Sequence, residues 1–448
     1  LMDKRAFGPL LDLQTEAARQ GQTLYVVGGV LRDKGLGRPL GDIDLACTNA
    51  PQWAHWLARQ VASKPIPLDD TPGRETHRVP FGKRQHCDFS TLQGGSIEED
   101  LARRDFTINA MAQPLARFLD GTGPVLDPFG GQEDLADRKV RALPGHPLVD
   151  DPLRMLRAFR FSAELTFAID PPTWRAIQEN APKLSAVAGE RINHELLLCL
   201  DCRNPDIPGL VETGLLGVLV PEMGEMNASG WAPVLQAWQR FVDWRQARQG
   251  PLTAFRDDLD LYLRQDRRGP LFNLALLLHP LDTGPWPESS PRKFRKHSIL
   301  SGVLKRLKFS NRQLTFVDRT VFFAHRFHQA TRSPDASPLA PDRVYHLVKS
   351  GNEEIAAGLL LTAMTHPASG ETAQALDVIY EYYHRQFLPA ARQPALLTGN
   401  DLCRRFQLHP SPLFKTILEQ VEAARILGRI HTREEAEALA ETMIRTSH

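Results

Sequence analysis

The chain has few cysteines, five in 448 residues, and the number is odd. The one close pair, Cys199 and Cys202, has no second CxxC or histidine pair to complete a set of four zinc ligands. The thiols are therefore expected to be reduced, in a cytoplasmic protein, which excludes a disulfide-stapled secreted scaffold. Long apolar runs are missing too: the longest, around "LFNLALLL", is far short of a bilayer span, and "LMDKRAFGPLLDLQ" at the start holds no signal-like apolar segment. The expectation is a soluble chain with no membrane partner. Net charge is nearly absent, 54 basic against 53 acidic residues. Any nucleic-acid surface must then arise from local segregation of sign and not from bulk basicity.

What is present is enough apolar matter, 42% of residues, for about two to four folding units. Up to about residue 140, β-like runs ("TLYVVGG", "DIDLAC", "QHCDFSTL") alternate with helical ones ("PQWAHWLARQVA", "EEDLARRDFTINAMA") across turns rich in Gly and Pro. That pattern predicts an α/β or α+β domain. After "LDPFGGQEDLADRKVRALPG" the strand signals nearly stop, and helical spacing runs through "PLRMLRAFRFSAEL", "RINHELLLCL", "GVLKRLKF" and "EEIAAGLLLTAM". Pro, Gly and Ser cluster at 280–292 and 333–342, which read as loops, and a break near "QFLPAARQPALLTGND" isolates a final piece from about 395.

Chemistry concentrates in "LYVVGGVLRDKGLGRPLGDIDLAC". An apolar strand runs into Gly28 and Gly29 and then a helix carrying Arg32, an arrangement that lets backbone N–H groups approach a phosphate. Neither a P-loop lysine nor a three-glycine dinucleotide spacing follows, and a Gly-Gly turn alone is equally a plain tight turn. Asp42 and Asp44 are two apart on the next strand, so they share a face about 7 Å apart and repel unless a cation lies between them. Beside an anion cradle this suggests Mg²⁺ and phosphoryl chemistry; without the glycines, a solvated strand end or a nucleotide-sugar DxD is the better reading. Asp88, on "QHCDFSTL" with Cys87 and Phe89 on the opposite face, would complete a three-carboxylate site if its strand pairs beside the first. The alternative for Asp88 is an exposed strand acid.

In "RRDFTINAMA", read as a helix, Arg103 and Arg104 fall in the first turn, where they oppose the helix dipole, and Asp105 and Asn109 share a face. A phosphate partner would offset that cost, although a solvated Arg-Arg pair is commoner. In "DDPLRMLRAFRF", Asp150 and Asp151 precede Pro152 as a helix start, and Arg154, Arg157 and Arg160 form a stripe opposite an apolar face. A basic cluster at Arg292, Lys293, Arg295, Lys296 and His297, continued by Lys305, Arg306 and Lys308, is either a backbone contact for RNA or a solvated face.

The blocks "GGVLRD...GDIDLA", "LARRDFTINAMA", "LDPFGGQEDL", "DDPLRMLRAFRF" and "ERINHEL", in that order over about residues 20–200, resemble the class II tRNA nucleotidyltransferase and bacterial poly(A) polymerase family. The resemblance implies an α+β fold: a polymerase β-like nucleotidyltransferase head with a small mixed sheet (1–140), then an all-α neck with a base template (141–205), body (206–394) and tail (395–448). It implies Asp42, Asp44 and Asp88 as catalytic acids and Mg²⁺ ligands. Gly28, Gly29 and Arg32 match triphosphate-holding positions, and Arg103, Arg104, Asp105 and Asn109 those that hold phosphate and ribose. Asp151 and Arg154 match the pair that reads the incoming base, with Arg157 and Arg160 on the phosphate side. The partners implied are the acceptor arm and 3′ end of tRNA, with CTP or ATP.

Departures from the family pattern are informative. The template block begins Asp150-Asp151 where Glu-Asp is usual, which leaves the role of Asp150 open, and Thr91 is followed by Leu92 and Gln93 where Thr-x-Arg is usual. The loop between the Asp88 strand and the helix read over "EEDLARRDFTINAMA" is only "LQGGS", whereas CCA-adding and A-adding members carry a substantially longer one. Members that add only two cytidines lack it, so the resemblance is closest to a CC-adding enzyme, with full CCA addition as the alternative, then poly(A) polymerase or an inactive RNA-binding relative. A CC-only enzyme requires a separate A-adding enzyme. "LLLHPLDTGP" resembles the His-Asp segment of phosphohydrolase domains, but Pro280 replaces the acid, so His279 is expected to be a satisfied histidine.

Overall fold

A computed structural model of the chain describes residues 8–446 apart from 82–84, 227–229, 248, 282–297, 333–338, 352, 367–369, 408 and 410. The basic cluster at Arg292–His297 lies outside the described residues. The chain divides into two compact units, Leu1–Leu219 and Val220–His448.

The first unit is built on a mixed six-stranded sheet of order β3-β4-β5-β2-β1-β6. The strands are β1 (Tyr25–Val27), β2 (Ile43–Cys47), β3 (Ile66–Asp69), β4 (Thr76–Phe81), β5 (Gln85–Thr91) and β6 (Ala112–Pro114). All pairings are antiparallel except the central one, β2 with β5. Alternation along each strand sends Val26, Leu45, Val79, Cys87 and Phe89 into the core. The helices α1 (Gly8–Arg19) and α3 (Ala50–Gln60) supply Leu13, Trp53 and Leu57 to that core. Burying a residue such as Phe89 stabilises by roughly 1.5–3 kcal/mol, and the same alternation leaves Arg78, Asp88 and Asp44 on the other face.

Between β1 and β2 runs α2 (Gly29–Gly35), and after β5 comes the short α4 (Ile97–Leu101), whose start is capped by Ser96 accepting from the Glu99 N–H at 3.3 Å. The unit continues with α5 (Leu115–Asp120), α6 (Gly131–Ala136) and α7 (Pro147–Asp150), then α8 (Arg154–Leu165), α9 (Pro171–Asn180) and α10 (Gly189–Asp201). A two-strand ribbon, β7 (Lys139–Val140) with β8 (Ala168–Ile169), lies among them. α8 buries Met155, Leu156, Phe159 and Phe161 and ends at Thr166, which takes a left-handed conformation at φ 60°.

Two local expectations are corrected. "ARRDFTINAMA" is not one helix: α4 stops at Leu101, Arg103 to Asp105 form turns, Thr107–Asn109 is a 3₁₀ turn, and Ala112 already belongs to β6. Every residue from Asp105 to Gln113 is buried, so the segment presents no single apolar helix face and is held inside the unit on all sides. The helix start is also only partly as expected: Asp151 caps the turn that leads into α8, its Oδ1 accepting from the Leu153 N–H at 3.2 Å and its carbonyl from the Arg154 N–H at 3.0 Å. Asp150 ends α7, and Leu153 precedes α8 without a side-chain cap.

Among its described residues the second unit is built of helices joined by turns, with no strand. Its interior is formed by Arg268–Leu278, Asn311–Arg332 and Glu354–Thr365, with Ala232–Trp244 packed alongside. Every residue from Pro270 to Leu278 is buried. His279 is also held inside: its Nδ1 lies 2.8 Å from the Leu276 carbonyl, and burial pushes its imidazole down to about 4. It is a satisfied structural histidine. Toward the C-terminus, Leu402, Ile417, Val421, Ala436 and Ala440 form a separate apolar cluster, and Thr398 and Asp401 form a capping box at the start of Gly399–Phe406. No described helix is long and apolar enough to cross a membrane.

Candidate active site

A cleft of about 1020 Å³ opens in the first unit, ample for a nucleoside triphosphate by the usual size of ligand pockets. Gly28, Gly29, Arg32, Asp44, Arg103, Arg104, Asp105, Asn109, Asp151, Arg154 and Arg157 all line it. Residues drawn from separate stretches of sequence thus meet in one place.

Sheet register sets the acidic part. The parallel pairing of β2 with β5 puts Asp44 directly opposite Asp88, and the antiparallel pairing of β4 with β5 puts Arg78 opposite Asp88. Arg78 donates Nε and Nη2 to the two Asp88 carboxylate oxygens at 2.9 and 2.8 Å. Asp42 stands just before β2, where its Oδ1 accepts from the His86 N–H at 3.1 Å. Asp88 and Asp42 are thus each engaged by a protein partner, and among the described residues no group of three or more His, Cys, Asp or Glu side chains is gathered for a metal. Asp44 has no such partner: burial, then Asp88, push its carboxyl up to about 6, Asp42 adding to the rise and Arg104 opposing it.

The glycine turn abuts this acid. Gly28 has φ 72° and ψ −136°, and a Cβ there would lie 3.3 Å from Arg104 Nη1 and 3.5 Å from Asp44 Oδ2. Only a residue without a side chain lets the turn, the guanidinium and the carboxylate come this close.

A second chain of contacts ties α2 to α8. Buried Arg32 donates Nη1 to Asn109 Oδ1 at 2.9 Å, and Asn109 Nδ2 donates to Asp105 Oδ1 at 3.0 Å. Asp105 Oδ2 then accepts from Arg157 Nε and Nη2 at 2.9 and 2.7 Å. Burial pushes the Asp105 carboxyl up, but Arg157, the Asn109 amide and the Phe106 N–H outweigh it and hold it below its ordinary value. Asp105 and Asn109 meet as their spacing suggested, although through a turn and not along a helix.

The arginine stripe is shared among different partners. Arg154 donates to the carbonyls of Arg103 and Arg104 at 2.7 and 3.0 Å, fixing that turn. Arg160 does not line the cleft; it is committed to Glu195 at 2.5 Å and Glu164 at 3.1 Å. Asp151 accepts from Arg191 of α10 at 2.9 Å and from the Leu153 N–H at 3.2 Å. Phe161 holds three cations about its ring, with Arg32, Arg157 and Arg160 at 5.3, 5.4 and 4.3 Å from the centroid. Arg78, Arg191, Phe161 and Asp100 were missed by sequence reasoning. Only Arg78 left a signal, as the outward residue between buried His77 and Val79 in an alternating run.

The Leu92–Ser96 connection is closely held. Gln93 donates its N–H to Asp100 Oδ1 at 3.0 Å and its amide to the Gly73 carbonyl at 2.8 Å, while Gly95 donates its N–H to Glu99 Oε2 at 2.5 Å.

The chain resembles known proteins in sequence and in fold. Residues 24–141 match the family described as the poly A polymerase head domain, and residues 166–226 a probable RNA and SrmB-binding site of polymerase A. A CC-adding tRNA nucleotidyltransferase of Geobacter sulfurreducens is 40% identical over 212 residues, 47% of this chain; the match spans about half of that relative, 48%. A CC-adding enzyme of Synechocystis is 28% identical with 93% of both chains covered. An A-adding tRNA nucleotidyltransferase of Deinococcus radiodurans is 31% identical over 93% of this chain and 94% of its own. Among solved structures, the Thermotoga maritima CCA-adding enzyme complexed with tRNA_CCA shares the fold, with a TM-score of 0.70 at 22% identity and coverage of 100% and 97%.

Proposed function

This chain belongs to the tRNA nucleotidyltransferase and poly(A) polymerase family, and we propose that it builds the tRNA 3′ end by adding two cytidines from CTP and releasing pyrophosphate. The observation that carries the chemistry is the register that sets Asp44 against Asp88 beside Gly28 and Arg104. The base preference rests on the brevity and hydrogen bonding of Leu92–Ser96.

In this reading Gly28, Gly29 and Arg32 hold the triphosphate, flanked by Arg103 and Arg104. Asp105 and Asn109 set the ribose side, and Asp151 and Arg154 face the base. Arg157 and Arg160 act from behind, bracing this wall around Phe161. The unpaired, upward-shifted carboxyl of Asp44 next to Asp88 fits a divalent cation, whose charge would relieve both. Asp42, Asp44 and Asp88 would hold it, and Mg²⁺ is the expected ion because it takes oxygen ligands and keeps phosphate oxygens in its shell. When bound, such an ion stabilises charge on the attacking and leaving oxygens. The chain's own part is to align the tRNA 3′-hydroxyl with the α-phosphate and to hold the triphosphate still. The four segments head, neck, body and tail divide the labour, with body and tail holding the acceptor arm.

Purified protein with Mg²⁺ and tRNAs ending at the discriminator base, at C or at CC, each given labelled CTP or ATP, tests the reading. Two CMP additions and no AMP are expected, leaving the last nucleotide to a separate A-adding enzyme. Strong AMP addition to the CC-ending tRNA refutes CC-only activity. If it follows CMP addition the enzyme is CCA-adding; if CMP addition is absent it adds A alone, a second reading favoured by the near full-length likeness to the Deinococcus enzyme.

A further inference from the structure

Asp100 lies outside the arginine, glycine and strand-acid motifs, yet it is where the short connection meets the nucleotide grip. It is 5% exposed on α4. One carboxylate oxygen, Oδ1, accepts from the Gln93 N–H at 3.0 Å, and the other, Oδ2, accepts from Arg104 Nε and Nη2 at 3.3 and 2.9 Å. The same Gln93 reaches the β3–β4 turn through its amide, which donates to the Gly73 carbonyl. The third guanidinium nitrogen, Nη1, is not engaged by Asp100, and it is the one turned toward Gly28 and its neighbour Asp44.

We infer that Asp100 is a positioning residue: it clamps two nitrogens of Arg104 so that Nη1 is presented at the Gly28 turn, where the triphosphate binds, and it anchors the connection with its other oxygen. The inference rests on the nucleotide-transfer reading. Its physical basis is that a long arginine side chain loses rotamer freedom when it grips a phosphate, and a buried carboxylate that has already fixed the guanidinium plane removes that cost before the ligand arrives. A charge-assisted pair of this kind fixes orientation as well as distance. Because one side chain serves both, a displacement of the connection is transmitted to Arg104 through a single buried group.

The test is a double-mutant cycle in the full chain with Asp100→Asn, Arg104→Gln and the pair, reading KM and kcat for CMP addition to tRNA, CTP affinity by calorimetry, and the thermal midpoint. Asparagine keeps an acceptor for Gln93 but loses the charge that orients Arg104. The expected result is a rise of about tenfold in KM for CTP and a matching loss of CTP affinity in each single variant, with the double variant no worse than Arg104→Gln alone. Multiplicative effects in the double variant, or a lowered thermal midpoint with KM and affinity unchanged, would overturn the inference, since a merely structural Asp100 acts independently of Arg104. Should Asp100→Asn fail to fold, Asp100→Glu and Arg104→Lys give the same cycle with the charges kept. A wild-type protein that binds CTP but adds no nucleotide would sink the proposed activity, while the binding arm of the cycle would still decide the role of Asp100.

Discussion

Replacing Gly28 and Gly29 by alanine, one at a time, separates the two glycines of the cradle. At φ 72° and ψ −136° Gly28 lies near backbone space that glycine alone enters freely, at a cost of about 1–3 kcal/mol for any other residue. Its new methyl would also press on Arg104 Nη1 at 3.3 Å and Asp44 Oδ2 at 3.5 Å, so relief of the crowding displaces a group of the proposed grip. Gly29, by contrast, is the first helical residue of α2, and its methyl would meet only the far end of the Arg32 side chain, at 3.3 Å. Gly28→Ala should therefore lower the stability of the 219-residue first unit by about 1–3 kcal/mol, a shift of about 2–12 °C in its thermal midpoint. Gly29→Ala should be near neutral. In CMP addition, Gly28→Ala is expected to lose at least about 100-fold in kcat/KM, equivalent to about 2.7 kcal/mol of transition-state stabilisation, and Gly29→Ala less than about tenfold. Calorimetry of both variants with parallel steady-state assays decides the matter. A Gly28→Ala protein that melts and turns over like wild type, or a Gly29→Ala protein that is the more damaged of the two, would show that Gly28 is not the constrained glycine of the pair.

Asp42→Ala and Asp44→Ala should each cut CMP addition by at least about a thousandfold while the far-ultraviolet circular dichroism stays that of wild type; near-normal turnover in either breaks the metal assignment. Asp105→Asn leaves Arg157 without its carboxylate and should destabilise by about 3 kcal/mol in denaturant titrations, the low end for a broken buried pair, because the Arg157 side chain is 35% exposed. The pH dependence follows from the sign of the shift: the depressed Asp105 carboxyl stabilises the fold above its unfolded value of about 3.9, and this is lost as pH falls through the lower folded value. Asp105→Asn should thus flatten the acid limb of the stability curve below about pH 4, and an unchanged limb counts against the buried pair. Phe161→Leu keeps an apolar side chain but removes the ring face under Arg32, Arg157 and Arg160. A severalfold rise in KM for CTP is expected beside a modest loss of stability, since the ring also packs edge-on against buried Phe106, and a KM equal to wild type would show that the ring does not organise the arginines.

Features set by near neighbours along the chain are legible in the residues themselves. The alternation in "QHCDFSTL" locates Asp88 opposite buried Cys87 and Phe89, and the spacing of Asp105 and Asn109 anticipates their hydrogen bond. The means of that second contact differs from the one their spacing implies. Helical periodicity does not continue across "ARRDFTINAMA", because tertiary packing draws Phe106 and Ile108 into the core and Ala112 into the sheet. What sequence could not yield were partners set by long-range pairing. Arg78 meets Asp88 through strand register, Arg191 reaches Asp151 from α10, and Arg160 turns away from the cleft because Glu195 waits on the helix packed against it. Each of these pairs joins residues whose separation along the chain carries no period.

Register also explains how the proposed acids come to stand as a set. Across four neighbouring strands a single row runs Arg78, Asp88, Asp44 and Val27, the last followed at once by Gly28. With strands about 4.8 Å apart, the row places one positive charge, two negative charges and an anion cradle within about 15 Å. The two carboxylates would repel if left alone, and the sheet handles this unequally: Arg78 neutralises Asp88, and Asp44 is left with its carboxyl raised. The uncompensated charge therefore sits on the acid nearest the glycine turn and Arg104, where a cation carrying a triphosphate would arrive. A slip of one residue between β2 and β5 would turn Asp44 inward and Ile43 or Leu45 outward, losing the core and the site together. The fully buried Leu45 and Phe89, paired in the next step of the same ladder, thus hold this row in place by the same packing that folds the sheet.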